Sequence, residues 1–320
     1  MIKKPCNPNA IPEVGEVLNY LASMEGKKIL TGQHTQSRPQ EELVKIHEKT
    51  GTYPAVIGFE LLSYSPNIDY DNADEECLAE VYEARGTLEQ AYEWAEKGAL
   101  LTFTWHWFSP LYGESKSFYT EHTAFDPEKV LTEGTPEREA FYSDLDKMAE
   151  LLKGFLAKRI PILWRPFHES EGKWFWWGSK GPEVAAKLYR LMYDYFTVVH
   201  ELHHLIWVWN CPLPEGYVGD DVCDIISRDL YAEAHSRTNY RKEYDELRKI
   251  TSTDKGAALG EIGILPDPEM LMADPVPWLW YMTWSHDFCL TEDFNTYDAL
   301  KKLYQSDAFV TLDRLPKGLW

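Results

Sequence analysis

The sequence predicts an α/β protein, a (β/α)8 TIM barrel in a single domain spanning residues 1–320. Eight short apolar runs alternate with longer amphipathic stretches, the count and order such a barrel needs. Several runs, such as Ile160-Pro161-Ile162-Leu163-Trp164, are apolar almost throughout, as expected of strands covered on both faces. No internal repeat, low-complexity tract or Pro/Gly-rich linker divides the chain. Length alone, at about 150 residues per domain, would suggest two units, but barrels routinely exceed that figure as one. The competing architecture is an open doubly wound sheet, and no Gly-rich nucleotide loop follows the first run to favour it.

In chain order, a helix is predicted at 11–24 before the first strand at 28–32, and another at 40–49 before the strand at 55–59. Asp69-x-Asp71, with Glu80 at the twelfth position, has the outline of a calcium loop. Asp74, however, stands where such a loop needs glycine and Ala73 stands at a ligand position, so a solvated acidic loop is expected. A helix at 88–97 leads into the strand at 100–105. The clearest helix, 135–159, opens Thr135-Pro136-Glu137: an N-cap, a first-turn proline and an early acid. Its Phe141, Leu145, Met148, Leu151, Leu152 and Phe155 recur at helical spacing. After the strand at 160–164, a helix at 182–204 sets Leu188, Leu191, Met192, Tyr195 and Val199 on one stripe. His200, His203 and His204 fall at its C-terminal end, where positive charge complements the helix dipole. They lack the glutamate spacing that metalloproteases use. Strands at 205–209, 224–227, 257–260 and 279–283 follow, with helices at 240–250 and 296–305.

Composition narrows the function. With 32 basic and 52 acidic side chains the net charge is −20, a field that repels phosphate backbones and anionic membranes. Neither nucleic acid nor a membrane is expected as partner, and no stretch approaches the roughly 20 apolar residues of a span. Aromatic residues reach 14%, which suggests rings lining a surface for an uncharged ligand. The five cysteines are widely spaced with no Cys-x-x-Cys pair, so neither a zinc site nor a disulfide framework is expected. The opening Met1-Ile2-Lys3-Lys4-Pro5-Cys6 lacks an apolar segment behind its lysines, so no signal peptide is expected. The compartment stays open between the cytoplasm and secretion with the signal removed.

Barrel enzymes carry their catalytic groups at the C-terminal ends of the strands. Those ends here offer Gln33, His34, Glu60, His106, Arg165, His168, Glu169, Asn210, Asp229, Tyr231, Glu261 and Trp284. Glu169 lies between bulky rings, and Glu261 among small or apolar residues. A buried lone carboxylate is costly, so each needs a partner or a chemical role. One reading pairs Glu169 with Arg165 and Glu261 with another buried group. The other sets two carboxylates across an aromatic cleft, the arrangement of glycoside hydrolysis.

WRPFHE at 164–169 followed by WFWWG at 174–178 resembles the acid/base segment of glycoside hydrolase family 26. LTGQHTQ at 30–36, WHW at 105–107, LGEIG at 259–263, Asp229-Leu230-Tyr231 and Thr283-Trp284 agree in order and spacing. The family consists chiefly of β-1,4-mannanases, with β-1,3-xylanase and mixed-linkage glucanase members, on a (β/α)8 barrel with retaining chemistry. By matching motif, the resemblance implies Glu169 as general acid/base and Glu261 as nucleophile. It implies Arg165, His168 and Tyr231 as donors around Glu261, His106 as a sugar-binding group, and Trp174 and Trp284 as sugar platforms. Retention further implies carboxyl groups about 5–5.5 Å apart. Trp105, Trp107, Trp176 and Trp177 also follow or end predicted strands; Trp176 and Trp177 stay open between the mouth and the core, and the remaining tryptophans are assigned to the core.

The expected function is therefore a retaining endo-β-1,4-mannanase acting on β-mannan, glucomannan or galactomannan, with no metal and no cofactor. Polysaccharide is the expected partner, the chain is expected to be monomeric, and no separate carbohydrate-binding module is expected. The alternatives are the same chemistry on β-1,3-xylan or mixed-linkage β-glucan, or release of mannobiose from chain ends. From other classes, the rivals are a non-catalytic carbohydrate-binding barrel and a metal-dependent barrel hydrolase.

Overall fold

The computed structural model describes residues 4–36, 40–113 and 118–320; the N-terminal reading rests partly on residues 1–3, outside the described residues. Strands β1 (Ile29–Leu30), β2 (Gly32–Thr35), β3 (Val56–Glu60), β4 (Leu100–Thr104) and β5 (Ile162–Trp164) are followed by β6 (Leu205–Asn210), β7 (Ile225–Leu230), β8 (Gly256–Ile262) and β9 (Trp278–Thr283). Neighbours pair in parallel, and the β8–β9 pairing closes the ring. β1 and β2 form one stave, since Leu30 pairs with Trp280 and Gln33 with Thr283 of the same β9. The result is a closed eight-stave parallel barrel, as the alternation of runs and helices predicts. A two-residue strand with no sequence signal, β10 (Phe309–Val310), pairs with β1 from outside the ring.

The helices are α1 (Pro12–Met24), α2 (Glu41–Thr50), α3 (Glu75–Glu83), α4 (Thr87–Glu96), α5 (Pro136–Ala157), α6 (Pro182–Asp194), α7 (Arg241–Leu247), α8 (Pro268–Ala273), α9 (Asp287–Leu290) and α10 (Tyr297–Gln305). α5 starts where its signals place it, with the Thr135 hydroxyl accepting from the Arg138 amide and Pro136 in the first turn. Its Phe141, Leu145, Met148, Leu152 and Phe155 are buried, and a single polar substitution on this stripe would leave an unpaired group in the core.

Two helix expectations need correction. α6 ends at Asp194, ten residues early, and Tyr195–Val199 continue as a π-turn. The wider i→i+5 turn rotates the stripe out of phase, so Val199 is 59% exposed instead of buried. His204 lies fully buried just before β6, and burial drops its pKa to about 3. It is a neutral core residue and complements no dipole. The acidic loop expected at 69–80 is also wrong in part: Asp74 accepts from the Cys77 amide at 2.7 Å and caps α3, which carries Glu80.

Side chains alternate across each strand. Val56, Leu100, Leu163, Ile206, Ile225 and Ala258 point into the barrel and join Val14, Val17, Leu18 and Leu21 of α1 in one apolar cluster. α1 thus closes the barrel floor. Their strand neighbours Ile57, Leu101, Ile162, Trp207, Ile226 and Leu259 belong to the outer layer under the helices. Two-residue steps up from the inner set bring Glu60, Thr104, Arg165, Asn210 and Asp229 inside at the top.

β8 breaks this rule. With Ala258 inward, a regular strand would turn Gly260 inward and Glu261 outward. The β7–β8 register shifts instead, pairing Arg228 with Leu259 but Asp229 with Glu261. This bulge re-aims Glu261 into the barrel, where it is buried. Glycine is required at the bulge, because a Cβ on Gly260 would stand 2.5 Å from Asp229 Oδ1 and 2.6 Å from Asn210 Nδ2.

Candidate active site

The inward residues at the strand tops line a cleft of about 340 Å³. Glu60, His106, His168, Glu169, Tyr231, Glu261 and Trp284 border it, with Phe118, Tyr119 and Phe175 as an aromatic wall. Of the residues expected from sequence, six therefore meet at one mouth. Arg165 lies beneath, buried, while Trp174 stands on the rim, 47% exposed.

Arg165 anchors the floor. Its guanidinium donates to Asp229 Oδ2 at 2.8 Å and to Glu261 Oε1. The second Glu261 oxygen accepts from the Tyr231 hydroxyl at 2.9 Å. Asn210 Nδ2 donates to Asp229 Oδ1 at 2.7 Å, and its Oδ1 accepts from the Glu169 amide at 2.8 Å. Glu169 itself sits at φ +54 and Phe167 at φ +52, in the left-handed region that L residues avoid. The turn is held by that Asn210 contact, by Trp177 Nε1 donating to the His168 carbonyl at 2.8 Å, and by the Gly172 amide donating to the Glu169 carbonyl at 2.9 Å. Trp174 Nε1 donates to Glu169 Oε2 at 2.8 Å, leaving Oε1 for the cleft.

Glu169, Asp229 and Glu261 each offer an oxygen within 4.8 Å of the others'. Burial, reinforced by the Asp229 charge, pushes the Glu169 carboxyl up to about 8. The same two causes raise Glu261. Three carboxylates around one guanidinium cannot all ionise cheaply, so the group holds a proton near neutrality. Its location follows from the donors. Glu261 has a guanidinium and a phenol, which stabilise the anion, whereas Glu169 has one indole. The proton therefore sits on Glu169 and the charge on Glu261.

A second network flanks the first. Glu60 accepts from the His106 amide at 2.8 Å and the Thr104 hydroxyl at 2.9 Å, and pairs with His106 Nδ1 at 2.7 Å. Burial alone would lower the His106 pKa, but the Glu60 carboxylate overrides it and raises it. His106 Nε2 lies 3.2 Å from His168 Nε2, and burial keeps His168 neutral. His168 thus faces His106 and is not a donor to Glu261, contrary to the expectation. Trp284 stacks on His34 with centroids 4.0 Å apart.

Sequence reasoning placed Glu60, Asn210 and Asp229 at strand ends without a role; their two-residue spacing from the inner apolar layer is the signal that finds them. Four tryptophans that follow or end predicted strands do not reach the mouth. Trp105, Trp107, Trp176 and Trp177 are buried in the outer core. Trp176 Nε1, for example, donates to the Trp107 carbonyl at 2.6 Å and supports the cleft from below.

Residues 6–314 match the profile of Glycosyl hydrolase family 26. The chain is 35% identical to a mannan endo-1,4-β-mannosidase of Thermothelomyces thermophilus, covering 97% of this chain and 62% of that protein. It spans 50–62% of the lengths of that relative and two from Piromyces sp. Among solved structures, the GH26-CBM35 β-(1,4)-mannanase of Podospora anserina superposes with a TM-score of 0.88 at 34% identity, over 99% of this chain and 69% of that one. A β-mannanase from a symbiotic protist of the termite Reticulitermes speratus, complexed with gluco-manno-oligosaccharide, gives 0.87 at 27% identity over 98% of this chain and 97% of that one.

Proposed function

Because the chain belongs to glycosyl hydrolase family 26, we propose that it is a retaining endo-β-1,4-mannanase with Glu261 as nucleophile and Glu169 as acid/base. The observation that carries this reading is the approach of Glu169 and Glu261 oxygens to within 4.8 Å in one aromatic cleft, with anion-stabilising donors gathered on Glu261. Retaining glycosidases hold their carboxyl groups about 5–5.5 Å apart. The activity named for the relatives supports mannan as the substrate.

In the first step a Glu261 oxygen attacks the anomeric carbon while Glu169 Oε1 gives its proton to the departing glycosidic oxygen. The products are a glycosyl ester on Glu261 and a freed chain end. Glu169, now ionised, takes a proton from water, which attacks the anomeric carbon and expels Glu261. Arg165 and Tyr231 hold Glu261 in position and tune its charge. Trp284 and, on the leaving side, Trp174 offer stacking faces to the sugars, while His106, its ring nitrogens engaged by Glu60 and His168, lines the wall between them.

The three-carboxylate cluster could be read as a metal site. Arg165 already bridges two of its members and supplies the positive charge there, so activity is expected to persist in chelator. Hydrolysis assays on β-mannan, β-1,3-xylan and mixed-linkage β-glucan test the substrate; absence of any sugar release from β-mannan would sink the reading. Proton NMR of the first product tests the stereochemistry, with the β-anomer expected.

A further inference from the structure

Tyr231 follows β7 with its hydroxyl 2.9 Å from Glu261, yet the residue is 47% exposed. A ring with one side open to solvent is not held by core packing alone. A small rotation about its Cα–Cβ bond carries the hydroxyl out of hydrogen-bond range. Its covered side meets Phe288 of α9, with ring centroids 5.3 Å apart and planes at 51°. Phe288 is backed in turn by Phe294, with centroids 4.3 Å apart. Tyr231 and Phe288 both lie against the backbone of Gly263, just after β8. A Cβ there would stand 2.9 Å from Phe288 Cε1 and 3.1 Å from Tyr231 Cδ1.

Asn295, buried between α9 and α10, ties these pieces together. Its Oδ1 accepts from the Leu265 amide at 2.8 Å, and its Nδ2 donates to the Gly263 carbonyl at 2.7 Å and the Phe288 carbonyl at 3.1 Å. Both amide hydrogens are used, which fixes the side-chain orientation and joins the segment after β8 to the one after β9. The segment after β7 is tied in on either side of Tyr231. There the Gly263 amide donates to the Leu230 carbonyl at 3.1 Å, and the His235 amide to the Phe294 carbonyl at 3.0 Å. The titratable and charged groups facing Glu261 are Arg165, Asp229, Glu169, His106 and Tyr231. Of these, Tyr231 packs on Phe288, so the clamp reaches Glu261 through the phenol.

We propose that Asn295 and Phe288 are positioning residues for the nucleophile, holding the Tyr231 ring so that its hydroxyl stays on Glu261. The proposal rests on the reading of Glu261 as nucleophile. Arg165 donates to the other Glu261 oxygen, so a displaced Tyr231 leaves one oxygen without its donor. The carboxylate is then free to turn about its Cγ–Cδ bond, and its anion is less stabilised.

The test measures kcat/KM on a dinitrophenyl β-mannobioside, whose leaving group needs no proton, so that the rate reports attack by Glu261. Phe288→Ala and Asn295→Ala are each expected to lower it roughly tenfold, the cost of losing one hydrogen bond to a charged group. The acid limb of the pH profile is expected to move upward, since the Glu261 anion loses a donor. In a Tyr231→Phe background the same substitutions are expected to lower kcat/KM by less than about twofold and to leave the limb in place, because the hydroxyl they position is gone. A merely structural role lowers the rate equally in both backgrounds, and that result overturns the proposal. An unchanged rate in a Phe288→Ala variant with an intact thermal transition overturns it as well, as does a Tyr231→Phe enzyme as active as the parent. Where Asn295→Ala fails to fold, Phe288→Ala decides alone. Turnover that survives in Glu261→Ala instead overturns the reading on which the proposal rests.

Discussion

Glu169, Asp229 and Glu261 crowd one guanidinium, and the distribution of the proton they share controls the pH dependence. In the proposed mechanism Glu169 must be protonated to act as acid, and its carboxyl is pushed up to about 8 by burial and by Asp229. The proton is present below that value and lost above it, so kcat/KM is expected to fall as pH rises past about 8. Asp229→Asn removes one cause of the shift, and the alkaline limb should move to lower pH. A limb that stays in place would assign it to another group. Glu169→Gln is expected to cost about 10²–10⁴ in kcat on mannan and far less on a dinitrophenyl glycoside, whose leaving group needs no proton. Glu261→Ala should abolish turnover of both. These two glutamates were legible in the sequence through the residues around them. Residue chemistry alone left the partner of Glu261 open; the family resemblance named Tyr231 and Arg165, 30 and 96 positions away, as its donors, and the structure sets both against it.

Each helix and strand was legible where its own residues carry the pattern. Thr135-Pro136-Glu137 starts α5 as expected. The failures are places where a periodic rule was extended past a local break. Val199 leaves the α6 stripe at a π-turn, and the acidic segment before Glu80 becomes a capped helix once Asp74 finds the Cys77 amide. The β8 bulge is the break with functional consequence, since strict alternation would turn Glu261 away from the cleft. Gly260→Ala places a methyl group against Asp229 and Asn210, both of which hold the site. Its expected outcome is a loss of about 10² or more in kcat, larger than any loss of folded protein, as sub-ångström misplacement of a nucleophile is costly. Near-normal kcat in a folded variant would show that the bulge tolerates a side chain.

Two histidines, His34 and His204, are buried in the barrel and kept neutral there. His204 has neither ring nitrogen hydrogen-bonded among the described residues, and burial lowers its pKa to about 3 against an ordinary 6.5. His34, at the mouth, is also lowered to about 3 by burial. Between these values the unfolded chain binds more protons, so the stability contribution is complete above about pH 6.5 and is lost as pH falls toward 3. His204→Leu removes the unpaired polar nitrogens and this proton linkage. Urea unfolding should show the variant gaining relative to the parent at pH 5 compared with pH 8. An equal difference at both pH values would mean that His204 does not carry the acid sensitivity.

The order of strands, the closed barrel and the position of Glu169 and Glu261 at strand ends could be read from the chain alone, because apolar periodicity and short motifs are local properties. Tertiary structure alone decided which rings stand at the cleft mouth: of the six tryptophans grouped near strand ends, Trp174 and Trp284 stay there while the other four are buried in the outer layer. It also decided that His168 serves His106, that Asp229 completes the carboxylate cluster, and that Glu80 of an apparent acidic loop reaches the cleft. The physical reason is the same in each case. Which neighbours a polar or aromatic side chain meets is set by ring closure and strand register, and these bring together residues far apart in the sequence.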